Sequence, residues 1–185
     1  MGNLLLEEVE YKIEETNFGV WRRYGYINGT SYHEFKSHAS WMGMPLIHYT
    51  YGRNPETGKR VCAKGVIAVG CFARGIISVG IFSAGLFAFG LLAFGLIVVG
   101  LVAIGIIFGL GQLATGVVAL GQFALGVLFA AGQFAIGRVA IGQVAFGKYV
   151  LAQIGFGEFV WSMKRVDPEA IEFFKSLPVI RFFIP

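Results

Sequence analysis

Three histidines and a cysteine in the first third of the chain are of types that bind metal ions or act in acid–base catalysis. His33, His38, His48 and Cys62 could in principle gather around one ion. Zinc sites place their ligands in short, closely spaced pairs, and these four residues do not follow such a pattern. We therefore favour ordinary surface or capping histidines, and we expect no metal and no cofactor.

A second segment comes close to a phosphate-binding loop. Gly52 and Gly58 enclose five residues where that loop has four, and Arg60 stands where a Ser or Thr must hold magnesium. We interpret the segment as a turn. No serine or cysteine nucleophile has a recognisable base beside it in the sequence, so we expect a protein that is not an enzyme.

The composition indicates that most of the chain avoids water. Of 185 residues, 56% are hydrophobic, 14% are charged and 27 are glycine. Between residues 65 and 147 only Arg74 and Arg138 are charged, and the stretch from Gly75 to Gly137 carries no charge at all. The outer surface of a soluble domain rarely lacks charge over such a length. A disordered chain, a nucleic-acid-binding tail and a disulfide scaffold are all excluded.

Glycine recurs every five residues through this uncharged region. The repeat consists of glycine, any residue, a large apolar residue, Ala or Ser, and another apolar residue. Five residues advance an α-helix by about 500°, so the glycines of a helix would scatter around its axis. A fixed period is typical of a solenoid. The glycines are 65, 70, 75, 80, 85, 90, 95, 100 and 105, then 111, 116, 121 and 126, then 132, 137, 142 and 147.

This period resembles that of pentapeptide-repeat proteins, whose right-handed four-sided β-helix stacks square coils of four five-residue sides. The resemblance lies in the periodicity, since the family's usual Ala-Asp/Asn-Leu triplet is absent here. It implies a mainly β fold in which glycine and the third residue of each repeat point inward. The predicted inward residues are Ile67, Phe72, Ile77, Phe82, Phe87, Leu92, Ile97 and Val102. The chain is also similar to uncharacterised bacterial proteins that carry a glycine-period repeat.

Two repeats contain one extra residue, and they lie four repeats apart. They begin at Gly105 and Gly126. A four-sided coil of 20 or 21 residues would place both insertions at one corner, where Phe108 and Phe129 would stack. Glutamines in these later coils would stack as Gln112 on Gln133 and, on the opposite side, Gln122 on Gln143. They would form amide ladders or only moderate the hydrophobicity of the surface.

The outside of the predicted coil is also apolar. Its wall would cover roughly 1,000 Å², whereas a monomer rarely exposes more than about 300–600 Å² in one patch. We expect the lipid bilayer, an integral membrane subunit or other copies of the chain to cover this wall. The wall residues are Leu86, Phe89, Leu91, Phe94, Leu96, Val99, Leu101 and Ile104, with Phe108 and Phe129 at the insertions.

Three segments follow from these patterns. Residues 1–62 form a β-rich head or cap, 63–157 the solenoid, and 158–185 a short capping helix and an apolar tail. Asn28-Gly29 predicts a hairpin turn, and Asp167-Pro168 predicts a helix start. The head also carries two basic pairs that could contact anionic head groups, although a solvated turn explains such pairs as well. The pairs are Arg22-Arg23 and Lys59-Arg60.

Three functions of different classes fit the sequence. We favour a non-catalytic, membrane-embedded or membrane-associated solenoid of the bacterial inner membrane, acting as a scaffold or accessory subunit within a larger complex or homo-oligomer. The alternatives are a soluble homo-oligomer or filament, and a lipid-binding or enzymatic role in the head. Nucleic acid is not an expected partner. DNA mimicry, which is known among acidic pentapeptide-repeat proteins, is disfavoured because the wall carries no carboxylates.

Overall fold

The computed structural model describes residues 9–26 and 29–177. The predicted apolar tail after Leu177 and the asparagine of the predicted hairpin turn lie outside the described residues. Contacts divide the chain into two units, Met1–Gly95 and Leu96–Pro185. The described structure is mainly β with one short helix near the C-terminus, which confirms the predicted class. In the part that the structure describes, no helix is long and apolar enough to cross a membrane.

Eight strands and one helix make up the described chain. The first unit contains six short strands and the beginning of β7, and the second contains the rest of β7, β8 and the helix. The bounds are β1 Lys12–Thr16, β2 Gly19–Gly25, β3 Ser31–Ser37, β4 Ser40–Trp41, β5 Met44–Pro45, β6 Ile47–Tyr51, β7 Cys62–Ile136, β8 Val139–Trp161 and α1 Pro168–Ser176.

The head of the first unit is an antiparallel sheet in the order β1-β2-β3-β6. Strands β2 and β3 form the predicted hairpin, in which Gly25 pairs with Ser31. Gly29 has φ +78°, a left-handed conformation that glycine adopts without steric cost. Strand β6 then pairs in parallel with the beginning of β7, with Ile47 opposite Ile67. The sheet of the head therefore continues directly into the repeat.

The second unit is built on parallel pairing between β7 and β8. Phe129 lies opposite Val139, and Gly132 lies opposite Gly142. Helix α1 packs on β8, where the ring of Phe173 stacks on that of Tyr149 with 4.0 Å between centroids. The predicted helix start at Asp167 is confirmed. The Asp167 carboxylate accepts the backbone N–H of Val160 at 2.8 Å, so it ties the helix to the end of β8.

The burial pattern of the repeat differs from the predicted one. The fourth residue of each five-residue repeat is buried, and it is Ala, Ser or Val. In the two repeats with an extra residue, the fifth residue, Gly109 or Ala130, is buried instead. The third residue faces outward or lies half-buried, so the prediction that it fills the interior is wrong. The exposed members of the predicted inward set are Phe72, Ile77, Phe82, Phe87 and Ile97, while Ile67, Leu92 and Val102 are half-buried.

Close contacts of backbone with backbone also recur between successive steps of the repeat. A Cβ atom on Gly90 would collide with the carbonyl oxygen of Gly80, and one on Gly121 with that of Gly111. The same contact recurs along both units at intervals of ten residues, or eleven where a repeat has an extra residue. The buried positions hold Ala, Ser and Val, so the interior is too narrow for Phe and Ile.

The ten-residue interval also corrects the predicted coil. A four-sided coil requires neighbouring parallel strands to be offset by about twenty residues. The described pairs of β7 with β8 are offset by ten, as in Ala130 with Ala140 and Ala135 with Ala145. In the first unit, Phe72 stacks on Phe82 at 5.1 Å between ring centroids, again ten residues apart. The four-sided geometry is therefore wrong for these segments. One step of the stack, from a strand to its parallel neighbour, contains two repeats instead of four.

A single methyl group at one of the glycines tests this packing. We expect Gly121→Ala to lower the free energy of unfolding by about 3 kcal/mol, because the added carbon meets a backbone carbonyl that cannot move aside cheaply. Thermal unfolding followed by circular dichroism measures the loss. The control is Gly25→Ala, where a Cβ has no atom within 4 Å. Equal unfolding temperatures for the two variants would contradict the close approach.

Candidate functional site

The predicted wall residues face outward in both units. Six of the ten are exposed by 39% to 55%: Leu86, Phe89, Leu91, Phe94, Leu101 and Ile104. The other four, Leu96, Val99, Phe108 and Phe129, are half-buried. All eight members outside the insertions occupy the second or fifth position of their repeats, on either side of the narrow interior.

The apolar surface is larger than the sequence analysis predicted, because the third residues add to it. In the second unit, Phe123 is 54% exposed and Leu128 is 50% exposed. The most exposed large apolar residues of its repeats are Ile106 and Val127, at 66% and 72%. The sequence signal for the exposure of the third residue was the small residue at the fourth position, because a narrow interior accepts small side chains.

The glutamines form one column instead of two. Gln112 follows Gly111 and Gln122 follows Gly121, two glycines that contact each other directly. Gln133 and Gln143 follow the paired glycines 132 and 142, and Gly132 contacts Gly121 in turn. All four glutamines are exposed. The prediction of two opposite sides is wrong, because steps of ten or eleven residues bring every second repeat back to the same side.

The two insertions share a local geometry but lie two steps apart. In both, a Cβ on the first glycine would collide with the carbonyl oxygen three residues later, that of Phe108 after Gly105 and that of Phe129 after Gly126. Phe129 pairs with Val139. The predicted stacking of Phe108 on Phe129 is therefore wrong, since 21 residues make two steps of the stack and not one.

Charged residues return on one side of the second unit, toward its helix end. Lys148 and Glu158 form an ion pair of 3.5 Å, ten residues apart. The backbone N–H of Lys148 bonds the carbonyl oxygen of Arg138, which places these two residues on successive steps. Two steps earlier, Val117 stands at the position of Arg138 and Val127 at the position of Lys148. The second unit thus changes from apolar to charged along the stack.

The basic residues predicted to contact head groups are partly engaged within the head. Arg22 lies 3.5 Å from Glu34 and over the ring of Tyr11, at 4.5 Å from its centroid. Arg23 forms an ion pair of 3.1 Å with Glu14. Lys59 and Arg60 are exposed in and after the turn that follows β6. The four do not form one basic surface.

A buried carboxylate organises the polar interior of the head. Glu34 on β3 is 4% exposed, and His48 on β6 is equally buried. His48 Nδ1 accepts the backbone N–H of Lys64 at 2.8 Å, which leaves the ring proton on Nε2. That Nε2–H donates to Glu34 Oε1 at 3.2 Å. Lys36 Nζ lies 2.9 Å from the same oxygen, and Tyr32 Oη donates to Oε2 at 3.0 Å.

These donors keep Glu34 ionised despite its burial. The hydrogen bond from His48 is the largest influence, and together with Lys36 and Tyr32 it lowers the pKa of Glu34 from 4.5 to about 2, although burial acts in the opposite direction. Burial and the charge of Glu34 raise the pKa of the Tyr32 phenol. The cluster holds a fixed negative charge between β3, β6 and the start of β7, which is a structural role.

The histidines and Cys62 do not assemble into a site. His33 Nε2 lies 3.0 Å from Ser31 Oγ, His38 Nε2 lies 3.1 Å from the carbonyl oxygen of Thr16, and His48 belongs to the Glu34 cluster. Among residues 9–26 and 29–177, no three His, Cys, Asp or Glu side chains are grouped as metal ligands would be. Each described histidine has separate neighbours: His33 lies by the ring of Tyr51, His38 by Glu15, and His48 by Glu34.

Comparison with known proteins adds no further information about the site. No protein-family model matches the chain, and no curated protein or solved structure matches it either.

The Glu34 cluster predicts how stability depends on pH. Because the folded pKa lies below the unfolded one, the stabilisation is fully present above about pH 4.5 and is lost as the pH falls toward 2. We expect a loss on the order of 3 kcal/mol over that range. Glu34→Gln should lower stability at pH 7 and flatten this part of the pH profile, as measured by unfolding at each pH.

Glu14→Gln is the control for this prediction. Its carboxylate also pairs with an arginine, but its side chain is 52% exposed, so little stability depends on it. A Glu34→Gln profile as steep as that of the unmodified protein between pH 5 and 2 would contradict the role given to the cluster.

Proposed function

We propose that the protein is a non-catalytic β-solenoid that associates with a membrane through its apolar outer surface and serves as a scaffold or accessory subunit. The observation that carries this proposal is the row of large apolar side chains, exposed by about 40% or more, along a stretch of chain without charge. Such a surface costs free energy in water, and lipid or an apolar partner removes that cost.

The coil that we propose has two sides of five residues each. Three regularities of the described residues support it: parallel pairing at an offset of ten, glycine contacts at ten or eleven, and a buried small residue at every fifth position. Each turn of the solenoid would then contain two repeats. Alanine side chains fill its interior, so the proposed role involves no channel along the axis.

Backbone pairing makes contact with lipid physically acceptable. The hydrocarbon core accepts only chains whose backbone N–H and C=O groups bond within the protein. Parallel pairing between successive steps satisfies most of these groups on the sides of the stack. Four steps separate Gly100 from Gly142 in the second unit, which at about 4.8 Å per step gives roughly 19 Å.

The change from apolar to charged residues fits insertion from one end. The hydrocarbon core is about 30 Å thick, so the uncharged steps of the second unit could lie within it. Arg138, Lys148 and Glu158 would then lie at the level of the head groups, where long charged side chains are tolerated. We place the protein in the bacterial inner membrane, next to integral membrane subunits or further copies of itself.

Cysteine pairs distinguish the two-sided coil from the four-sided one. In a chain with Cys62→Ser and Cys71→Ser, we expect Gln122→Cys and Gln133→Cys to form a disulfide on oxidation, because one step brings Cα atoms to about 4.8 Å. Gln112→Cys with Gln133→Cys should not, since two steps separate them by roughly 10 Å. A four-sided coil reverses both results, as gel mobility would show.

Membrane fractionation tests the function. We expect the protein to stay in membranes washed with alkaline carbonate and to be released by detergent. Ile106→Lys with Val127→Lys should release most of it, because each charge costs about 3 kcal/mol in the hydrocarbon. Immunoblots of pellet and supernatant measure the distribution.

Met163→Lys with Val166→Lys is the matched control. These residues are 85% and 55% exposed but lie between β8 and α1, outside the repeat, so retention should not change. Release of the unmodified protein as a large particle would replace the membrane proposal by the soluble homo-oligomer. Retention of the Ile106→Lys/Val127→Lys chain would show that the outer surface is not the contact.

A further inference from the structure

A cavity of about 980 Å³ opens in the first unit. Its walls are the hairpin turn after β2, the end of β6 with the turn that follows, and two neighbouring steps of β7. Small-molecule sites occupy about 300–1,000 Å³, so the cavity could take a ligand of substantial size. None of the ten predicted wall residues lines it.

The charged side chains of the cavity are two arginines, without any acidic residue. Arg53 and Arg60 line it, and no Asp or Glu does. In the part of the chain that the structure describes, neither arginine forms an ion pair. The Arg60 guanidinium donates to Cys71 Sγ at 2.7 Å, and Tyr26 Oη donates to the carbonyl oxygen of Arg53 at 2.8 Å. Two arginines therefore line one space, and no acidic residue of ranges 9–26 and 29–177 lines it with them.

The rest of the lining is apolar and aromatic. Val69 and Val79 lie one step apart on β7, and Ile81 directly follows Gly80. Val79 and Ile81 are about 40% exposed, so both present apolar atoms to the open space. Tyr49 and Tyr51 of β6 complete this side of the cavity. A hydrocarbon chain placed here would cover apolar atoms that now contact water.

We propose that this cavity binds a single-chain anionic amphiphile, whose carboxylate or phosphate lies between Arg53 and Arg60 and whose hydrocarbon chain lies along Val79 and Ile81. A small inorganic anion would leave the apolar lining exposed, and an uncharged chain would leave both guanidinium groups without an anionic partner. Guanidinium groups form strong, charge-assisted hydrogen bonds with such head groups. The proposal concerns the cavity between the head and the first steps of β7, and it does not require the rest of the outer surface to meet lipid.

Cys71 provides a local measure of occupancy, because it lines the cavity and is a free cysteine. The experiment uses the full chain with Cys62→Ser, in a fixed concentration of an uncharged detergent. The rate at which N-ethylmaleimide alkylates Cys71 is measured with dodecanoate, with acetate and with dodecanol. Acetate presents the head group without the chain, and dodecanol presents the chain without the charge.

We expect dodecanoate to slow alkylation at least tenfold at saturation, and acetate and dodecanol to have little effect at the same concentrations. Arg60→Gln should raise the concentration of dodecanoate for half-protection ten- to a hundredfold, as loss of a charge-assisted hydrogen bond predicts. Each variant is compared with its own rate without ligand, because Arg60 also touches the thiol. Arg53→Gln is the second variant and should act in the same direction.

Arg74→Gln is the control, since it removes a cation from the same strand outside the cavity and should leave half-protection unchanged. Equal protection by dodecanol and dodecanoate would overturn the proposal by showing that apolar partition alone fills the cavity. Equal protection by acetate would overturn it in favour of a small-anion site. Absence of protection, or insensitivity to both arginine substitutions, would overturn it outright.

Discussion

The structure depends on the contact between a glycine and the carbonyl oxygen of the glycine ten residues before it. Gly80 with Gly90 and Gly111 with Gly121 represent this contact in the two units. It fixes the distance between successive steps, and a single side-chain carbon at these positions would break it. The space enclosed within each step is also narrow, since the side chains buried in it are alanine, serine or valine.

A narrow interior determines what the outside must be. Bulky Leu, Ile and Phe residues have no room inside, so they stand on the outer surface, and they supply the apolar area on which the proposed membrane role depends. In a wider coil the same residues would fill a core, and less apolar area would remain exposed on the outer surface. The apolar composition therefore reflects, in large part, side chains that stand on the outer surface.

The head solves a different physical problem. Its sheet contains a carboxylate, Glu34, that is almost fully buried, and four neighbouring donors from β2, β3 and β6 keep it charged. The same His48 that donates to this carboxylate accepts the backbone N–H of Lys64 at the beginning of β7. A polar network thus connects the antiparallel head to the first step of the repeat, in the unit that also contains the cavity with its two unbalanced arginines.

The amino-acid sequence alone determined the β class, the hairpin at Gly29, the helix start at Asp167, and the exposure of residues such as Leu91 and Phe94, because glycine period, turn residues and helix caps act over a few positions. It also located both insertions. The number of repeats in each step, the burial of the fourth residue and the single glutamine column were decided by the tertiary structure. A coil of ten residues and a coil of twenty residues both fit a five-residue sequence pattern. Only the pairing of strands in the tertiary structure, at an offset of ten residues, distinguishes them. The Glu34 cluster and the cavity likewise join strands distant in sequence, and no local pattern could have shown that Arg53, Arg60 and Ile81 share one space.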